Sequence, residues 1–184
     1  FISFLDDDVS INKNYFFESL KYIDKHKCDL LFSKINQSNT ETPLSRNMIG
    51  SDLKINYFST NSCLSSSMWI NLKNKKKIYF DENFGLGAKY GSGEETDLIY
   101  NYLKKNKKVY YSSKALIYHP KEFSELKNSN DIFKKFLSYG EGQGAILRKN
   151  YKDLKIISLY LFINSILKSL MATILFLVIL RKKN

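Results

Sequence analysis

Cysteine is scarce. The 184 residues contain two, Cys28 and Cys63, and they form no CxxC arrangement. That spacing excludes a disulfide-stapled scaffold and a zinc-finger pattern, so both read as free thiols in a reducing compartment. Two prolines and eight glycines exclude a collagenous or low-complexity chain and leave long runs for strands and helices. Acidic residues are outnumbered, 18 against 29 lysines and arginines, for a net charge of +11. Such a sign points to nucleic acid or an anionic membrane surface. The absence of any nucleic-acid recognition motif, with basic residues thickening beside apolar sequence (Arg148, Lys149, Lys152, Lys155, then Arg181 to Lys183), favours the membrane as partner and no nucleic acid. An initiator methionine is also lacking. Phe1 falls inside an apolar run, FISFL, so the expectation is a fragment missing its N-terminal part, in which no targeting signal can be read.

What is present centres on FDENFGLGAKYGSGEETDL, Phe80 to Leu98. Five carboxylates (Asp81, Glu82, Glu94, Glu95, Asp97) and four glycines run into the apolar helical pattern of Leu98, Ile99, Tyr102 and Leu103. Flexible backbone leading to clustered acids at a helix start suits a site that closes over a ligand and presents a base. Ser92 to Glu95 also fits a capping box, in which Glu95 would only satisfy a backbone N–H. A cap needs one acid, whereas three fall within four residues here.

A second acidic stretch, Asp6 to Asp8, follows FISFL, which has the pattern of a buried parallel strand whose carboxyl end faces a ligand crevice. In extended backbone Asp6 and Asp8 point to one side and Asp7 to the other, so the first and third can share a hard cation, Mg or Mn. Alone, the triplet reads more readily as a solvated turn and helix cap. The two acidic stretches are expected to form one site.

Helical spacing of Tyr15, Phe16, Leu20 and Ile23 predicts a packing helix within Ile11 to Lys27, with His26 merely solvated. Cys28 to Ile35 reads as a strand, and Gln37 to Asp52 as a surface loop. Lys54 to Ile70 reads as a strand lined with small hydroxyls, and Trp69 as a core anchor more than a sugar platform. Lys108 to His119 reads as a strand ending where a lone histidine can complete a metal's coordination. Asn130 to Lys149, interrupted by Gly140, Gly142 and Gly144, predicts one or two amphipathic helices at a membrane surface. Ile156 to Leu180 is long and apolar enough to span a bilayer, Lys168 being its one charged residue, with two short helices lying in the interface as the alternative.

In combination the segments FISFLDDD, IYFDENFG at Ile78 to Gly85, GSGEETDL at Gly91 to Leu98 and YYSSKALIYHP at Tyr110 to Pro120 resemble the family 2 glycosyltransferases. The resemblance runs from Phe1 to about Lys149. It implies an α/β fold of the GT-A type, a Rossmann-like mixed sheet flanked by helices. The expected division is 1–125 for the C-terminal part of a catalytic domain, 126–153 for an amphipathic interface region, and 154–184 for a transmembrane helix with a basic tail.

The resemblance also implies an inverting, metal-dependent transfer of a sugar from a nucleotide-sugar donor to a glycan or lipid-linked acceptor, on the cytoplasmic side of a membrane, in surface polysaccharide or glycoconjugate synthesis. Asp6 and Asp7 would meet the donor nucleotide, and Asp8, Asp6 and His119 would hold Mn or Mg. Glu95 would be the base, where the family usually carries Asp in a Glu-Asp pair; the extra methylene leaves Glu94 and Asp97 open for that role. No QxxRW motif of processive synthases follows, since Gln143 and Arg148 have another spacing and no Trp, so single addition is favoured. These residues alone are expected to bind donor poorly. The alternative is a nonenzymatic membrane-anchored protein with an acidic cation-binding surface.

Overall fold

In the computed structural model, residues 1–38, 40–44, 50–73, 78–120 and 129–167 are described. The chain is a mixed α/β protein: strands β1 (Ile2–Ser3) and β2 (Ser10–Ile11), helix α1 (Tyr15–His26), strands β3 (Leu30–Gln37), β4 (Leu53–Lys54) and β5 (Met68–Ile70), helix α2 (Glu94–Lys104), strand β6 (Val109–His119) and helix α3 (Ser129–Asn150). The sheet runs β1-β5-β3-β6-β2, with β4 also on β6. The parallel pair β3 and β6 lies at its centre, and the other pairings are antiparallel.

β3 is covered on both faces, which is why LLFSKI reads as a near-continuous apolar run rather than an alternation. Its register with β6 jumps between Ser33 and Lys34, where β6 carries Ser113 to Ala115 as a bulge. The bulge has its own hydrogen bonds: Asp52 accepts from the Ser113 N–H at 2.8 Å and from its hydroxyl at 2.9 Å. Leu30, Phe32, Ile35, Met68, Ile70, Ile99, Tyr111 and Ile117 form the core around these strands. Trp69 is a core anchor, its indole N–H donating to the Tyr15 hydroxyl at 2.8 Å.

Several expectations change. FISFL is not a buried parallel strand: only Ile2 and Ser3 pair, antiparallel to β5, and Phe1, Ile2 and Leu5 are exposed, because β5 is the only strand beside them among the described residues. Helix α1 buries Tyr15, Ser19, Tyr22 and Ile23, leaving Phe16 and Leu20 each 47% exposed. Small Ser19 allows a close approach, and Tyr22 turns inward to stack on His26 (4.3 Å) and meet Tyr110 edge-on (6.1 Å), so His26 packs on rings rather than standing free in water. Lys54 to Ile70 is not one strand. It breaks into two 3-10 turns, Thr60–Ser62 and Ser65–Ser67, before β5, since short hydroxyl side chains compete for backbone hydrogen bonds and favour turns.

Helix α3 is one 22-residue helix despite its glycines. Gly142 serves a close approach: a Cβ there would strike the Ser92 carbonyl oxygen. The loop before α2 is fitted to the same contact, for a Cβ on Gly91 would strike the Ser138 hydroxyl, and the Ser92 hydroxyl donates to the Ser138 carbonyl at 3.1 Å. Among the described residues no helix is long and apolar enough to cross a membrane. The span expected over 156–180 is described only to residue 167, helical over 155–167, and the remainder lies outside the described residues.

Candidate functional site

Strand directions gather the acids. β1 runs antiparallel to β5, and the Phe4 N–H donates to the Met68 carbonyl at 2.8 Å, so Asp6 lies beyond the end where β5 begins. β3 and β6 run opposite to β5 and finish at that same end, His119 being the last residue of β6. Asp6 to Asp8, Ser65 to Ser67 and His119 therefore share the carboxyl end of the parallel pair, where open α/β sheets place their ligands.

There the His119 Nε2 lies 3.5 Å from an oxygen of Asp6 and 3.5 Å from an oxygen of Asp8. The three ligand atoms are within 4.8 Å of one another. His119 Nδ1 is 2.7 Å from the Pro120 carbonyl oxygen, which can only accept, so the proton sits on Nδ1. The other ring nitrogen, Nε2, is then the one that faces the two carboxylates. Three electron-rich atoms facing each other call for a proton or a cation between them, and an O,O,N donor set suits Mn or Mg with water filling the other positions. Asp6 and Asp8 are about half exposed (49% and 48%), while Asp7 is exposed in the turn and outside the cluster.

The second group stands at the start of α2. Gly93 occupies the cap position with φ +101°, a conformation L side chains resist, and no side chain caps the helix. The rival reading, a capping box, does not form: Ser92 is drawn to Ser138 of α3, and Glu95 reaches out of its helix to accept the Ser65 N–H at 3.1 Å. Burial, then the charge of neighbouring Glu94, pushes the Glu95 carboxyl above its ordinary value. Glu94 has one buried oxygen without a hydrogen-bond partner. Both glutamates line a cleft of about 730 Å³, with Thr60, Leu64, Lys134 and Tyr139 among its walls.

Asp97 faces elsewhere. Its side chain is 2% exposed, and the Lys149 ammonium of α3 lies 2.8 Å from each of its oxygens. Asn101 donates to it at 3.0 Å. The same ammonium is 2.7 Å from Asp81 and sits over the Phe84 ring, 5.4 Å from its centre. Burial alone would lower the Lys149 pKa, but its bonds to Asp81 and Asp97 outweigh that and raise it. That contact and two hydrogen bonds from Asn83 hold the Asp81 carboxyl down at about 2.

The two acidic groups share one end of the sheet, yet the cleft of Glu94 and Glu95 is not lined by Asp6, Asp8 or His119. Sequence reasoning missed Lys149, which is one lysine in a basic run, and the Ser65 N–H, a backbone group no side-chain motif signals. What the fold and these residues define is an α/β protein with a carboxylate–histidine cluster and a glutamate-lined cleft at the carboxyl end of its parallel strands. No family model matches the chain, and no curated protein matches it.

Proposed function

We propose that the protein is a metal-dependent, inverting glycosyltransferase with a GT-A type fold, acting at a membrane on a glycan or lipid-linked acceptor. The observation that carries this reading is the convergence of Asp6, Asp8 and His119 at the strand ends that also hold Ser65, the partner of Glu95. In this reading Asp8, Asp6 and His119 hold Mn or Mg, and Asp6 and Asp7 meet the nucleotide. A divalent cation there supplies charge neutralisation for the departing diphosphate. Glu95 accepts the proton of the acceptor hydroxyl as that oxygen bonds to the anomeric carbon and the bond from that carbon to the diphosphate oxygen breaks. Its raised pKa makes it a stronger base than an exposed glutamate, and the Ser65 N–H fixes its direction. Asp97, committed to Lys149, is the weaker choice for that role, and Glu94 lies beside Glu95 in the cleft.

The deciding experiment expresses the complete reading frame in membranes and follows release of nucleoside diphosphate from a panel of sugar nucleotides, with and without Mn. Metal-dependent release that drops in Glu95→Gln supports the reading. Cation binding without release from any donor, with membrane lipid present, favours the nonenzymatic alternative.

A further inference from the structure

Over 155–167 the helix is inside out for a protein in water. Ile156, Leu159, Tyr160, Ile163, Ile166 and Leu167 recur at three- and four-residue steps, so they form one stripe, and each is between 44% and 85% exposed. The opposite face is the one held by the protein. Ser158 is buried, Leu161 and Asn164 are partly buried, and Leu154 and Leu161 pack against the cluster of Phe84, Tyr100 and Ile146. Tyr160, at the stripe's edge, meets the Phe58 ring at 5.2 Å. The exposed apolar stripe is thus the reverse of what solvent selects.

Charge says what covers the stripe. No acidic residue follows Asp153 in the sequence, while Lys152 and Lys155 stand exposed at the start of the stripe. Beyond residue 167 the sequence continues Lys168, then SLMATILFLVIL, then Arg181 to Lys183. A second copy docking on this face would bring together two patches whose charges beyond Asp153 are all positive, with no further carboxylate to pair them. An apolar strip flanked by lysines, its one neighbouring carboxylate, Asp153, held by Lys104 at 3.1 Å, fits anionic headgroups over acyl chains.

We infer that this helix lies in the interface of an anionic lipid bilayer, parallel to its plane, with the stripe from Ile156 to Leu167 in lipid and Ser158, Leu161 and Asn164 on the protein. Docking of this kind is independent of the transfer chemistry. It has a consequence for the cleft: Thr60, Asn61 and Gln143 line both the hollow beneath this helix and the cleft of Glu94 and Glu95, so docking sets the cleft beside the bilayer.

The test uses Ile163→Trp and Asn164→Trp in the whole chain, whose own Trp69 is buried in the core. Vesicles of phosphatidylcholine mixed with phosphatidylglycerol carry brominated acyl chains as quenchers. Emission from Ile163→Trp should be quenched, and emission from Asn164→Trp should not. Binding should weaken without phosphatidylglycerol or at high salt, and the pair Leu159→Glu and Ile163→Glu should lower it roughly tenfold or more at unchanged helix content. Equal quenching at both positions would mean a spanning helix and overturn the inference. So would the absence of vesicle binding, or a lipid-free dimer that Ile163→Glu dissociates.

Discussion

The ammonium of Lys149 on α3 lies 2.8 Å from both carboxylate oxygens of Asp97 on α2. This contact ties the last turn of one helix to the first turn of another, the turn that carries Glu94 and Glu95. Removing one partner leaves the other charge without compensation, and for buried pairs that costs more than the pair itself contributes. Lys149→Met should therefore destabilise the protein by about 1 to 3 kcal/mol, below the fully buried range because the lysine is a third exposed. Urea unfolding measures it. A double variant Asp97→Asn, Lys149→Met that unfolds no more easily than Lys149→Met alone would confirm the coupling; strictly additive losses would refute it.

Glu95 and Asp97 are two residues apart in sequence and should respond differently. Glu95→Gln is expected to lower nucleoside diphosphate release by about a hundredfold or more, the scale of a lost general base, with little change in unfolding midpoint. Asp97→Asn should shift the midpoint and leave turnover per folded molecule near normal. The reverse pattern would transfer the base to Asp97.

If the cluster of Asp6, Asp8 and His119 holds a cation, residues inside and outside it should respond differently. Asp8→Asn or His119→Ala should weaken Mn binding at least as much as the roughly tenfold that loss of an outer-sphere partner causes. Asp7→Asn, exposed and outside the cluster, should leave it nearly unchanged. Titration calorimetry or Mn electron-spin resonance reads both, and equal effects from all three would dissolve the cluster as a site.

Two carboxyls give stability opposite dependences on pH. Asp81 is held at about 2, below its ordinary 3.8, so its contribution is complete above the unfolded value and is lost as pH falls towards 2. Wild type should lose more stability than Asp81→Asn across that window. Glu95 is raised above its ordinary 4.5, so folding favours its neutral form, and stability falls as pH rises from that value through the raised one. Activity that depends on ionised Glu95 should rise over the same range, with its inflection above the ordinary glutamate value.

Much of the frame was legible in the sequence because its signals are local. The apolar run after Cys28, the acids packed into Gly91 to Leu98 and the strand before His119 mark elements that form as read, as β3, α2 and β6. Asp6, Asp8 and His119 were legible as partners because each follows or ends an apolar run, although the first run pairs only at Ile2 and Ser3. Apolar runs and clustered charge act over a few residues and mark these elements, whereas the hydroxyl-rich stretch from Lys54 to Ile70, read as a strand, folds as turns.

What tertiary structure alone decided are the relationships across the chain. Whether Glu95 caps its own helix or bonds Ser65, thirty residues away, depends on where the Ser65–Ser67 turn is placed. Asp97 became a buried ion pair rather than a free acid because α3 delivers Lys149 to it, and α3 can come that close because Gly142 and Gly91 leave room. The buried face of α1 turned away from Phe16 and Leu20 for a similar reason, since Tyr22 found rings to stack on. Sequence determined the main helices, the two central strands and the acid-rich stretches, because those preferences are set by neighbouring residues. Packing decided which of those acids is paired with a lysine and which lines the cleft, because a charge's partner and its solvent are properties of the whole fold.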